Sequence, residues 1–393
     1  MHSLRSYGLV AGVVGSLVLA GCGRDSGVAD GESTTDGEVA TEEAVATGSG
    51  VPAGSAQPTG RVGGEGAFGS HEELVAAASS EPGPLQVALS MDEEVIVAVT
   101  EAFRQKYPEI DVEAIELSGS ESERVLLEVQ SGVSELDVLY ISPDSYFDYL
   151  PSVERIDLLE MAEAGVIDIP AGMINPDDPY IVSLGSSLAG VAWNPDLLPA
   201  ELVPETYEDF LNPALKGRML VDIEPTSLAG LWPAMGEEWM LQYARDLAAQ
   251  EPIWASGGTR SLTAIAAGEY EMFYGQWHTM QRAKEQNPDS LEIKLIEPVP
   301  VRLVEVQGIR TGSENPSSAI LFLEHLASAE VQATIDELDP YQSSIFVDGS
   351  LVEETAEGLE TSVVDWDDIP LVGERVEAIR GEWGFPTAVV TDE

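Results

Sequence analysis

From Pro84 onward, short apolar runs alternate with segments whose apolar residues recur every three or four positions, the two periods that separate strands from amphipathic helices. The run PLQVALS (84–90) predicts a buried strand, 92–107 a helix stopped by Pro108, and DVEAIEL (111–117) a second strand. A helix over 120–131 closed by Gly132 and a strand DVLYIS (137–142) follow. This βαβαβ order predicts a parallel sheet with right-handed crossovers. A second unit begins near Trp193, with strands over 216–223, 271–275 and 292–298 and helices over 227–235, 237–250, 259–267 and 276–286. The strand 304–310 and the helices 316–327 and 329–338 lead back to the first unit. The pattern predicts an α/β fold of two lobes with a ligand cleft between them: lobe 1 over 81–190 and 300–393, lobe 2 over 191–299.

The first 80 residues lack this periodicity. Arg5, the apolar run from Gly8 to Ala20 and the small residues after it read as a secretory leader over 1–21, too short to stay as a membrane span. Leu19-Ala20-Gly21-Cys22 resembles a bacterial lipobox, which implies acylation of Cys22 and anchoring to the outer face of the cytoplasmic membrane. Cys22 is the only cysteine, so no disulfide forms within one chain. Residues 22–80, rich in Gly, Ser, Thr, Ala and Glu, read as a disordered tether. Two motif fragments there carry nothing: 64–69 fits G-x-G-x-x-G with no strand before it, and His71-Glu72-Glu73 lacks the second histidine of a zinc motif.

Charge changes the picture of the surroundings. The 70 Asp and Glu against 18 Lys and Arg, formally −52, are spread along the whole chain. Such repulsion strains a compact state unless salt screens it, which points to a saline exterior. The same charge argues against nucleic acid as a partner, since that surface needs a basic patch.

In parallel sheets, ligands sit beyond the carboxyl ends of the strands, where Ser90, Ser118, Gly119, Ser120 and Ser142 fall. These hydroxyls and free amides suit a small polar or anionic solute, although each serine is also an ordinary helix cap. Catalysis has little to stand on. GSSLAG (185–190), which holds Ser186, misses the nucleophile-elbow spacing, and the only histidines past the tether are His278 and His325.

The phrases FRQKYPEIDV, GVAWNPDLLP, TYEDFLNPALKGRMLVDI, GEEWMLQYARDLAAQ, AAGEYEMFYG and SSAILFLEHLASAEVQ together resemble the extracellular solute-binding proteins of ABC importers. They are most similar to family 1, the ferric-ion-type branch, over about 85–340. The resemblance implies a type II Venus-flytrap fold, no catalysis, no cofactor, a monomer, and delivery of a small solute to an ABC permease with its ATPase. Iron chelation through other ligands and a sensing role without a transporter are its alternatives.

In that branch two adjacent tyrosines precede a Trp-His pair and hold Fe³⁺. Matching on Trp277-His278 puts Gly275 and Gln276 at those two positions, so the turn keeps its architecture and loses the tyrosinate pair. Gln276 and Trp277 are then expected to contact a different solute. The resemblance also assigns ligand contact to Thr226 and Ser227 in PTSLAG, while SGGTRS supplies Gly258, Thr259 and Arg260, whose guanidinium could clamp an anion.

Overall fold

The structure, a computed structural model, describes residues 68–117 and 120–385. Ten strands form it: β1 (Leu85–Leu89), β2 (Val112–Glu116), β3 (Val138–Tyr140), β4 (Ile181–Trp193), β5 (Met219–Asp222), β6 (Ile253–Ala255), β7 (Met272–Gln276), β8 (Glu292–Lys294), β9 (Val299–Ile309) and β10 (Thr361–Val364). Their order is β2-β1-β3-β9-β4-β7-β5-β6, with β10 on β9 and β8 on β4. β1 pairs parallel with β2 and β3, as the sequence predicts. β9 runs antiparallel to β3 and β4, so the sheet is mixed where a purely parallel one is expected from the first 60 residues of the folded region.

Two paired strands, β4 and β9, carry the chain between the lobes. The first part of β4, Ile181 to Leu188, pairs with β9, and the second part, Ala189 to Trp193, pairs with β7. Its thirteen residues are buried except the last, which is why IVSLGSSLAGVAW shows no alternation: both faces are covered. Glycines allow the close passages. A Cβ on Gly190 would lie 2.6 Å from the carbonyl oxygen of Lys294, and one on Gly185 would lie 2.8 Å from that of Gln342.

Lobe 1 packs the helices Glu93–Lys106 and Pro316–Ala327 against its sheet, and every side chain of the latter after Pro316 is buried. Phe103, Phe322 and Leu74 are fully buried in this core. Leu74 corrects the tether boundary: His71–Ala78 is a helix capped by Ser70, whose Oγ accepts from the Glu73 N–H. A single apolar stripe, Leu74 and Ala78, docks it on the helix Pro316–Ala327, too short a signal to show as a period. The leader, Cys22 and most of the expected tether lie outside the described residues. Among the described residues no helix is long and apolar enough to cross a membrane.

The last helix of the carboxyl-terminal segment, which the sequence places in lobe 1, also reaches lobe 2. β10 pairs with β9, but the helix Val372–Glu382 packs on Glu237–Ala249 and Thr226–Ala229 of lobe 2. Arg245 to Glu382 at 3.0 Å and Arg380 to Glu224 at 2.8 Å reinforce that contact.

Candidate functional site

The carboxyl ends of β1 and β3, the turn after β5 and the end of β7 meet at a cavity of about 380 Å³. Lobe 1 contributes Ser90, Tyr140 and Ser142; lobe 2 contributes Thr226, Gln276 and His278; the joining strands contribute Ser187, Arg302 and Glu305. Four residues singled out in the sequence, Ser90, Ser142, Thr226 and Gln276, are therefore brought together from both lobes. A branch of about 240 Å³ runs from Ser90, Tyr140 and Ser142 toward Ser122 and Glu123.

A second cavity of about 330 Å³ lies inside lobe 2 and shares Thr226 and Gln276 with the first. Ser227, Gly258, Thr259 and Gly275 line it. Ser118 and Gly119 lie outside the described residues, and Ser120 opens the helix Ser120–Gln130.

Three of the expected residues stand outside both cavity linings. Ser186 is fully buried and faces away from the cavity, its Oγ accepting the Ile345 N–H at 3.1 Å. The alternation of a strand gives the cavity to its neighbour Ser187, whose buried Oγ has no hydrogen-bond partner among the described residues. Trp277 is buried against Leu188, Val299 and Val301, with its ring edge-on to Tyr341 at 6.3 Å, and it lines neither cavity. It is the first residue of the helix Trp277–Gln286, and its indole packs against β4, where a Cβ on Gly190 would lie 2.9 Å from the ring. Arg260 is exposed on the helix Gly258–Ala266 and lines neither cavity.

The charge around the lobe 2 turn opposes an anion as well. Asp222 and Glu224 line the same cavity as Thr226 and Ser227. Asp222 accepts the N–H of Glu224 at 3.0 Å and that of Gly257, so a protein carboxylate stands beside the turn that carries Thr226 and Ser227.

The joining strand β9 carries what the sequence reading missed. Glu305 is 8% exposed and sits at φ 51, a left-handed conformation unusual for a non-glycine inside a strand. Its Oε2 accepts the Ser90 N–H at 3.3 Å and the Gln307 amide at 3.2 Å. Burial raises its carboxyl to about 7, against the lowering effect of these two donors. Across the cavity, burial and then Arg282 lower His278 to about 4, which leaves a neutral imidazole. The signal was present: Arg302, Glu305 and Gln307 interrupt the apolar run VPVRLVEVQGI, and polar residues within a buried strand need a reason.

The aromatic cluster of lobe 2 settles the fate of Tyr274. Its hydroxyl lies 3.3 Å from that of Tyr207, and burial raises both phenols above their ordinary value. Gly275 sits under the Phe273 ring, where any Cβ would collide. Among the described residues no three His, Cys, Asp or Glu are grouped to hold a metal ion.

The model for the bacterial extracellular solute-binding protein family matches residues 98–346. No curated protein matches the chain. Among solved structures, the apo ferric ion-binding protein A of Pasteurella haemolytica superposes with a TM-score of 0.62 at 18% identity, covering 79% of this chain and 100% of that one. Iron-bound HitA from Pseudomonas aeruginosa gives 0.60 at 16% identity, with 77% and 99% covered. The Trichodesmium protein in complex with iron and citrate gives 0.61 at 19% identity, with 77% and 100% covered. The fold is thus the two-lobed type II arrangement of these proteins.

Proposed function

The chain belongs to the family of bacterial extracellular solute-binding proteins, and on that premise we propose that it captures a small polar solute between its lobes for an ABC importer. Acylated at Cys22, the protein stands on the outer face of the cytoplasmic membrane, and as a monomer it hands its solute to a permease served by an ATPase. The observation that carries the reading is the 380 Å³ cavity, to which both lobes and both joining strands contribute polar side chains. A solute touching all of them favours the closed arrangement through contacts that an open one lacks.

The ferric-type relatives mark the fold rather than the cargo. The positions of the tyrosine pair hold Gly275 and Gln276, and Tyr274 is engaged by Tyr207. What fills the cleft instead is a set of hydroxyl and amide groups around Arg302 and the high-pKa Glu305. These donors and acceptors suit a neutral or zwitterionic solute with hydroxyl, amide or ammonium groups.

Titration calorimetry with a panel of such solutes tests this, followed by two adjacent substitutions on the best binder. Ser187→Ala is expected to weaken it about fivefold, the value of one neutral hydrogen bond. Ser186→Ala, whose hydroxyl serves Ile345, is expected to leave affinity unchanged. Equal affinity in both variants would place the solute elsewhere.

A further inference from the structure

The lobe 2 cavity has a character of its own. Its walls are the rings of Tyr207, Phe210, Tyr243, Phe273, Tyr274 and Trp383, with Met219, Leu228 and Met272 between them. Its charged residues are Asp222 and Glu224, and among the described residues no lysine or arginine lines it. Glu224 is half exposed and already engaged by Arg380 at 2.8 Å. Asp222 is different: two backbone amides hold it, and burial works against its ionised form. A carboxylate desolvated beside aromatic faces is stabilised by a cation, which gains from the charge and from the ring quadrupoles together.

We infer that this cavity takes a protonated amine bearing an apolar group, with Asp222 as its counter-charge and the aromatic walls around its body. The inference rests on the solute-binding reading and narrows it. Thr226 and Gln276 line both cavities, so a solute lying across them places its ammonium-bearing end in lobe 2 and its hydroxyl or amide groups in the cleft. A carboxylate or phosphate in the same place would face Asp222, while Arg302 belongs to the lining of the adjoining cleft.

Calorimetric titration of the full chain with benzylamine, benzyl alcohol and benzoate, three probes of one shape and different charge, tests the assignment. Benzylamine is expected to bind at one site at least tenfold more tightly than the other two. Asp222→Asn, which keeps an acceptor for the Glu224 N–H, is expected to abolish that preference. Thr259→Trp, at an exposed position on the cavity wall, is expected to block all three probes. Attraction of amines to the acidic surface at large would survive both substitutions, so an unchanged benzylamine affinity in both overturns the proposal, as does benzoate binding as well as the amine. The broader reading is judged separately by lobe closure: a solute that compacts the protein and ignores Asp222 and Thr259 overturns the amine pocket alone. Amine binding that depends on Asp222, with no solute producing compaction, upholds the pocket and counts against capture by closure.

Discussion

The backbone N–H of Ser90, at the end of β1, donates to Oε2 of Glu305 on β9 at 3.3 Å. This bond ties the first strand of lobe 1 to the strand that joins the lobes, and its acceptor is a carboxyl raised by burial from 4.5 to about 7. A carboxyl whose folded pKa is raised favours the fold in its protonated form. Its contribution is therefore complete below about pH 4.5 and is lost as pH rises through 7. Glu305→Gln, which mimics the protonated form and can still accept from Ser90, is expected to be more stable than the parent at pH 8 by up to about 3 kcal/mol. At pH 4 the two should be nearly equal. Urea unfolding at constant salt measures the difference, and a gap of the same size at both pH values would show that Glu305 does not titrate in this range.

Arg282, on the helix Trp277–Gln286 of lobe 2, reaches Asp92 at 3.1 Å and Asp339 at 2.9 Å, both in lobe 1. The two bonds are unequal. Asp92 is more than half exposed, whereas the Asp339 side chain is 8% exposed and its carboxyl is raised by burial. Asp92→Ala is expected to weaken solute binding by less than about 1 kcal/mol, in the range of surface pairs. Arg282→Ala leaves Asp339 buried without its cation and is expected to cost about 2 kcal/mol. Equal losses in calorimetry would mean that the latch is only a surface contact.

Ferric citrate added to the metal-free protein is expected to produce no tyrosinate-to-iron absorption band. Tyr274 is bonded to Tyr207, and the lobe 1 phenols Tyr146 and Tyr149 are buried with pKa values pushed upward. A visible band that disappears in Tyr274→Phe would restore iron as the cargo. Replacing both Gly275 and Gln276 by Tyr should not create the band, because Phe273 occupies the space a side chain at 275 needs.

Stability is expected to rise from about 0.1 M to multimolar KCl as the Debye length falls from about 10 Å to about 3 Å and the repulsion within a chain of formal charge −52 is screened. A thermal midpoint that stays flat or falls across this range would assign the acidic surface another cause.

Much of the fold was legible because long periodic segments report their own burial. The helix Glu93–Lys106 is stopped where Pro108 predicts, and βαβ order predicts the parallel pairing of β1 with β2 and β3. The joining strands were harder. β4 is buried on both faces and shows no alternation, so its register was invisible, and with it the choice between Ser186 and Ser187. Trp277 looked like a ligand-facing ring because an aromatic at a helix start reads the same whether it turns to cleft or core. Arg302 and Glu305 needed the opposite inference, from polar residues in an apolar run to a cavity. The helix His71–Ala78 was lost in a tether of similar composition, since its docking depends on one stripe made by Leu74 and Ala78.

The central claim is that a solute draws the two lobes together around the cavity containing Ser90, Gln276 and Glu305. Small-angle X-ray scattering of the full chain at fixed high salt, with and without the solute that calorimetry identifies, tests it most directly. The account predicts a smaller radius of gyration and a shorter maximum dimension at saturation, and in Arg282→Ala a return toward the solute-free profile at the same solute concentration. Superimposable profiles with and without solute, at a concentration where calorimetry shows the site full, would contradict capture by closure.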